Sequence, residues 1–270
     1  MSLSYFFFNA GLTKVKKILA GRGLLDRKSI WCYLNSIRKT DVFIASYPKS
    51  GNTWVRFIIA NLLTRAQVEI TFRNIDDYVP DLYKSQYFVN SIRGKRFIKT
   101  HHCSFHHFSK MIYVIRDGRD VMVSYYHYLK DRVDPSINFS EFLKNPKFHF
   151  FGNWGDHVSQ ALEKKAMDPE NVLILKYEDL LFDPVSHIHQ ISNFCGFIFE
   201  DCIAQVISDK CSFKNLKSIE MSYGGEKGSE DKVFFRQGRA NDWIDSYSPE
   251  DLEFFLSQNG KMLKRCGYLS

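Results

Sequence analysis

No stretch of this 270-residue chain approaches the roughly 18 consecutive apolar residues that a membrane span requires. The short apolar run Tyr5-Phe6-Phe7-Phe8 precedes its lysines (Lys14, Lys16 and Lys17), the reverse of a secretory leader, and no small-residue cleavage site stands out. A soluble chain is expected, with Phe6 to Phe8 packed on it; residues 1–40 carry no other recognisable role. The six cysteines (Cys32, Cys103, Cys195, Cys202, Cys211 and Cys266) form no Cys-x-x-Cys pair and no zinc-ligand set. Free thiols in a reducing cytoplasm are the economical reading. Pro/Ser-rich linkers, low-complexity tracts and internal repeats are lacking too, which leaves one domain over residues 1–270.

What the chain does have is base and aromatic surface. Its 37 Lys and Arg against 30 Asp and Glu leave a formal charge of +7, which favours a polyanionic partner: nucleic acid, an acidic membrane surface or a phosphorylated cofactor. The bases are spread along the chain rather than gathered in a tail or a basic-aromatic face, which argues against nucleic acid. The 24 Phe suggest a thick core and leave room for a greasy pocket.

Four apolar runs read as buried parallel strands: Asp41 to Pro48, Phe97 to Thr100, Met111 to Ile115 and Val172 to Leu175. Helical spacing follows over Asn52 to Arg65, Asp120 to Lys130 and Pro184 to Phe194. Ser248-Pro249 marks a helix start, Ser as N-cap and Pro at the first position, for a helix running to Lys264. This alternation predicts an α/β fold, a central parallel sheet flanked by helices. Residues 221–243 turn polar and Gly-rich, and a loop of that length is expected to cover a cofactor.

The first strand ends in Tyr47-Pro-Lys-Ser-Gly-Asn-Thr-Trp54, a P-loop-like strand, tight turn and helix N-terminus. Unpaired N–H groups and the positive end of the helix dipole make an anion site there, and Lys49 adds a charge. The Walker A order is absent because Lys49 precedes the glycine, which argues against an ordinary kinase or ATPase.

This loop resembles the 5′-phosphosulfate loop of the cytosolic sulfotransferases. Three more segments are similar to that family in the right order: Tyr113 to Tyr126, Phe235-Arg-Gln-Gly-Arg-Ala-Asn-Asp-Trp243, and Phe97-Ile-Lys-Thr-His101. The resemblance implies transfer of a sulfuryl group from 3′-phosphoadenosine 5′-phosphosulfate (PAPS) to a hydroxyl or amine of a small molecule. The product would be adenosine 3′,5′-bisphosphate (PAP), and no metal would be required. It implies that Lys49 meets the leaving phosphate and that Ser50, Gly51, Asn52, Thr53 and Trp54 hold the 5′ side. Arg116, Ser124, Arg236, Gln237 and Gly238 would bind the 3′-phosphate, with Cys211 and Phe213 around the adenine and Tyr177 touching the adenine or the 3′-phosphate side. His101 would be the base, with Lys99 beside it, and Asp77, Phe148, His149 and Phe150 would border the acceptor. Asp76 and Asp81 fall in the same acidic stretch as Asp77 and could meet a cationic acceptor.

The chain departs from the family pattern at Gln237 (usually Lys), Asn241 (usually Gly) and Cys211 (usually Thr), and Arg239 could restore the charge lost at Gln237. The family's Lys-x-x-x-Thr-Val dimer motif is not found after Trp243, so the oligomeric state is left open. The alternatives are a nucleotide kinase and a non-catalytic bisphosphate-binding protein; retention of Lys49 and His101 argues against the second. His101, His102, His106 and His107 invite a metal reading, but no carboxylate or cysteine set accompanies them. Along an extended strand Lys99 and His101 share one face and His102 takes the other, so His101 rather than His102 is the expected base.

Overall fold

The computed structural model describes residues 33–226 and 231–269; Phe6 to Phe8 lie outside them. In chain order the elements are β1 (Val42–Ser46), α1 (Asn52–Leu63), α2 (Ile75–Tyr78), α3 (Gln86–Ser91), β2 (Phe97–Thr100) and β3 (Lys110–Ile115). Then follow α4 (Gly118–Arg132), α5 (Phe139–Lys144), α6 (Trp154–Met167), β4 (Val172–Lys176), α7 (Tyr177–Phe182) and α8 (Pro184–Cys195). The last three helices are α9 (Asp201–Lys210), α10 (Phe213–Tyr223) and α11 (Pro249–Arg265). The four strands pair in parallel in the order β2-β1-β3-β4.

Both faces of the sheet are covered, which is why its strands read as continuous apolar runs. Phe43 and Ala45 of β1 pack with Val121, Trp154 and Phe255 of α4, α6 and α11. Val42 and Ile44 pack on the other face with Val55, Ile188 and Ile207 of α1, α8 and α9. A buried pair joins the two strand starts: Arg96 Nε donates to Asp41 Oδ1 at 2.8 Å. The connection after β1 runs over one face and the connection after β3 over the other. Between β1 and β3 the winding therefore changes direction, and a crevice opens beyond their carboxyl ends.

The helix limits differ from expectation where capping decides them. Asp117 accepts from Arg119 N and starts α4 at Gly118, two residues early. Ser248 accepts from Asp251 N with Pro249 at the first position of α11, as anticipated. The polar segment expected from residue 221 begins later, because α10 continues to Tyr223 and stops only at Gly224, where φ is 86°.

Candidate active site

The turn after β1 is built around backbone that side chains resist. Gly51 has φ of 102°, and a Cβ there would lie 2.7 Å from Tyr177 Cδ2. Lys49 also adopts positive φ, 66°, a conformation that costs an L-residue about 1 kcal/mol or more. Helix α1 then starts with no side-chain cap and no acidic residue in its first turn. Its first N–H groups and the positive end of its dipole are left for an anion. Ser50 is buried with its hydroxyl lacking a partner, as an anion donor would be. Asn52 lines the cavity, and its amide nitrogen is taken up by Ile44 O (3.0 Å), Ser46 Oγ (3.2 Å) and Thr100 O (3.3 Å), bracing β1 against β2.

Lys49 projects between two rings, its Nζ 3.9 Å from the centre of Phe234 and 4.6 Å from that of Tyr128. Burial pushes this ammonium down to about 7; Glu226 opposes the shift, while Arg132 and Arg116 add to it.

Arg116 reaches across the crevice over the Tyr177 ring at 4.5 Å and donates to Lys49 O at 3.4 Å and Arg239 O at 3.0 Å. Its Nε is buried without a partner. Ser124 lines the same cavity one helical turn before Tyr128. Two carboxylates fold the C-terminal segment over this side. Glu220 of α10 accepts from Phe235 N at 3.0 Å, and Asp120 accepts from Asn241 N and Trp243 N, both at 2.9 Å. Asn241 sits at φ of 63°, where the short polar side chain of Asn is tolerated almost as Gly is, so this departure from the family pattern has a backbone reason.

Gly238, at φ of 64°, presses on Phe213; a Cβ would come 2.0 Å from Phe213 Cδ2. Arg236 lines the cavity paired with Asp242. Arg239 does not make up for Gln237: its guanidinium is 59 % exposed, bonds Asp242 at 2.8 Å and stays outside the cavity lining. Cys211 acts through its main chain, its carbonyl accepting from Trp54 Nε1 at 2.8 Å. Its thiol, pushed up to about 12 by burial, lies inert against Asn61. Trp54 and Tyr177 meet edge to face at 5.5 Å and, with Phe213, wall the adenine side expected from the resemblance.

At the other end of the same cavity, which holds about 320 Å³, stands His101. Its Nδ1 lies 2.7 Å from Ser46 O. A carbonyl only accepts, so Nδ1 carries the proton and Nε2 is left as the basic atom. Burial and the nearby Lys99 ammonium hold this imidazole well below the usual histidine range, and the bond to Ser46 opposes them. His102 is buried and outside the lining, packed on Tyr33 and Tyr83. The strand alternation expected at 99–102 holds beyond the strand end at Thr100. Lys99 lines the cavity too, but its ammonium is paired with Asp81 at 2.8 Å.

The expected acceptor border is displaced. Phe148 is buried in the core cluster, His149 Nε2 bonds Phe142 O at 3.1 Å, and Phe150 is exposed; none of the three lines the cavity. The turn at Gly152 instead brings Phe151 in. Asp77 is exposed on α2, Asp76 is paired with Arg56, and only Asp81 of that acidic stretch reaches the cavity. The wall is completed by residues that sequence reasoning missed: Tyr83, Lys84, Tyr125, Tyr128, Glu226 and Phe234. Only Tyr128 left a signal, its spacing of four from Ser124. Glu226 accepts from Tyr128 Oη and is paired with Lys84, both at 3.2 Å. Burial works to raise its carboxyl, but Lys84, Lys99 and Lys49 outweigh that and hold it below the usual range.

Among the described residues no three His, Cys, Asp or Glu side chains gather as a metal site; His106 and His107 lie exposed with their rings tilted against each other. No described helix is long and apolar enough to cross a membrane. Among known proteins, the sulfotransferase domain family matches residues 39–267. Flavonol 3-sulfotransferase of Flaveria bidentis is 28% identical over 79% of this chain and 78% of its own. Cytosolic sulfotransferase 5 of Arabidopsis thaliana is 30% identical over 78% of this chain and 76% of its own. The crystal structure of mouse sulfotransferase SULT7A1 complexed with PAP superposes with a TM-score of 0.67 at 25% identity, covering 86% of this chain and 88% of that one. The chain belongs to the sulfotransferase family.

Proposed function

We propose that this chain moves the sulfuryl group of PAPS onto the hydroxyl of a small planar phenol in the cytoplasm, with His101 as general base and Lys49 meeting the leaving phosphate. One observation carries the reading: the uncapped start of α1, Lys49 and Arg116 share a single cavity with an imidazole whose Nε2 is left to take a proton. The residues fit the donor. Arg116, in the cavity wall, has its Nε buried without a partner, and an anionic oxygen would satisfy it.

PAPS supplies an activated sulfuryl group and a bisphosphate leaving group. Arg116, Arg236 and Ser124 hold the 3′ side, and the start of α1 holds the 5′ side. Lys49 absorbs charge as it develops on the bridging oxygen, while Nε2 of His101 draws the proton from the acceptor hydroxyl. Lys99, tied to Asp81, adds local field from a fixed position. For an in-line transfer, positioning and charge absorption are most of what a protein can contribute.

The acceptor class follows from the base and the walls. An imidazole held below its ordinary range is a weak base, and a phenol, with a pKa near 10, gives up its proton far more readily than an aliphatic alcohol. Tyr83, Tyr125, Tyr128, Phe151 and Phe234 offer flat faces to a ring. Asp81 and Glu226 are each paired with a lysine, which disfavours a cationic amine. Two relatives are named flavonol sulfotransferases, which supports this class. The test is an assay with labelled PAPS and a panel of 2-naphthol, a flavonol, a primary aliphatic alcohol and an arylalkylamine. Turnover at least about tenfold faster on the phenols is expected. Turnover confined to the alcohol or amine, or none with any acceptor, would contradict it.

A further inference from the structure

His101 is held by its main chain as well as by its ring. Its N–H donates to Tyr83 Oη at 2.7 Å, and its carbonyl oxygen lies 3.0 Å from Nε2 of His157 on α6. That carbonyl can only accept, so His157 carries its proton on Nε2 and a lone pair on Nδ1. Tyr113 Oη of β3, 2.6 Å from Nδ1, therefore donates to it. The imidazole of His157 is buried edge-on against Tyr47 and Phe105, and burial pushes it down to about 4, so the neutral tautomer persists at neutral pH. A buried histidine with both nitrogens bonded and one bond ending on the main chain of the base is more than core filling.

We propose that His157, fixed by Tyr113, is a positioning residue that clamps the main chain of His101 so that Nε2 of the base faces the acceptor. The inference rests on the reading of His101 as base. His157 bonds the carbonyl of His101 and not its ring, so it relays no proton; it acts only by holding geometry. Near-attack geometry is sensitive to shifts of about 1 Å, which can cost about 10²-fold in rate. The titratable groups facing His101 are Lys99 of β2, Asp81 and Tyr83 from the segment before it, and His157. Phe151 packs on its open side, with the neighbouring His102 behind Tyr83. Since burial is the chief cause of the low imidazole pKa, a loosened His101 would reach solvent and its pKa would rise toward the ordinary value.

The test compares wild type with His157→Leu, His157→Gln and Tyr113→Phe. It uses 2-naphthol and PAPS for kcat, PAP titration for the donor site, and NMR titration of the His101 ring, assigned with His101→Asn. His157→Leu should lower kcat about 10–100-fold with PAP affinity within about threefold, and its His101 pKa and the acidic limb of the kcat profile should both move to higher pH. His157→Gln can donate to the His101 carbonyl and accept from Tyr113, so it should recover kcat to within about fivefold of wild type. A folded His157→Leu with unchanged kcat and unchanged His101 titration would overturn the proposal. So would equal impairment of the Leu and Gln variants with the titration unmoved, which is the pattern of a merely structural residue. If the Leu variant does not fold, Tyr113→Phe decides: a smaller rise in the His101 pKa with kcat reduced supports the clamp, and no change in either overturns it. A wild type inactive on every phenol would sink the functional reading, while the NMR titration would still decide whether His157 holds His101.

Discussion

The donor half and the acceptor half of the cavity are made in different ways. On the donor side, conformation is fixed by backbone. Positive φ at Lys49, Gly51 and Gly238, the uncapped start of α1, and two main-chain clamps from Asp120 and Glu220 leave little freedom. On the acceptor side, shape comes from side chains that arrive from four separate segments: Tyr83, Tyr128, Phe151 and Phe234, tied by the pairs Asp81 with Lys99 and Glu226 with Lys84. A backbone-built site reads one ligand, because changing it means changing turns. A side-chain-built site can be re-shaped by single substitutions without disturbing the fold. The division suits an enzyme with a constant donor and a variable acceptor.

Substitutions in each half should have separable effects, the largest at the junction between them. Lys49→Met should lower kcat by about 10²–10³-fold or more while PAP affinity falls by less than about tenfold, since the charge it meets develops mainly in the transition state. Single-turnover kinetics beside PAP titration checks this, and a variant with kcat above about a tenth of wild type would remove Lys49 from its assigned place. The same residue gives a pH signature. With its ammonium near 7 in the free protein, Lys49 is mostly neutral at pH 8, and a bound dianion raises it again. Calorimetry in buffers of differing ionisation enthalpy at pH 8 should therefore report a net uptake of protons on binding PAP, and a smaller uptake for Lys49→Met. Apparent PAP affinity should fall as pH rises above 7, because the form that binds best is being titrated away.

Arg116→Gln comes next. A guanidinium on phosphate is worth about 1.5–3 kcal/mol, so PAP affinity should fall about 10–100-fold while AMP binding hardly moves. An equal loss for both nucleotides would mean that Arg116 serves the turn at Lys49 O and not the 3′-phosphate. The smallest effect belongs to the acceptor half. Glu226→Gln should change the KM for 2-naphthol a few-fold and leave PAP affinity within about twofold, because its direct partners, Tyr128 Oη and Lys84, lie on the acceptor side. A larger change in PAP affinity than in KM would erase the boundary between the halves.

The same difference in construction governs what could be read from the sequence. Backbone-built features have local signatures: an apolar run, a lysine ahead of a glycine, an arginine at a strand end. Gly51 to Trp54, Arg116, Ser124 and Arg236 to Gly238 therefore line one cavity together, while Ser50 is buried beside it. His101 was legible because strand alternation is local and survives one residue past Thr100. The acceptor border had no such signature. Phe148, His149 and Phe150 lie in the right segment, but which of four consecutive residues turns inward depends on Gly152, and the answer is Phe151. Tyr83 and Glu226 are singular polar residues in loops, and only tertiary contact with Thr100, Tyr128 and Lys84 identifies them. Charge pairing was equally hidden. Nothing local tells that Asp81 is consumed by Lys99, eighteen residues away.

The central claim is that the donor half reads a nucleotide by two phosphates at once, without help from the acceptor half. Calorimetry of the acceptor-free protein with PAP and with AMP, in EDTA, tests it most directly. On the proposed reading the 3′-phosphate would add at least two charge-assisted contacts, from Arg116 and from Arg236 or Ser124, so PAP should bind about 100-fold more tightly than AMP with one site per chain. Equal affinities for the two nucleotides would contradict the account.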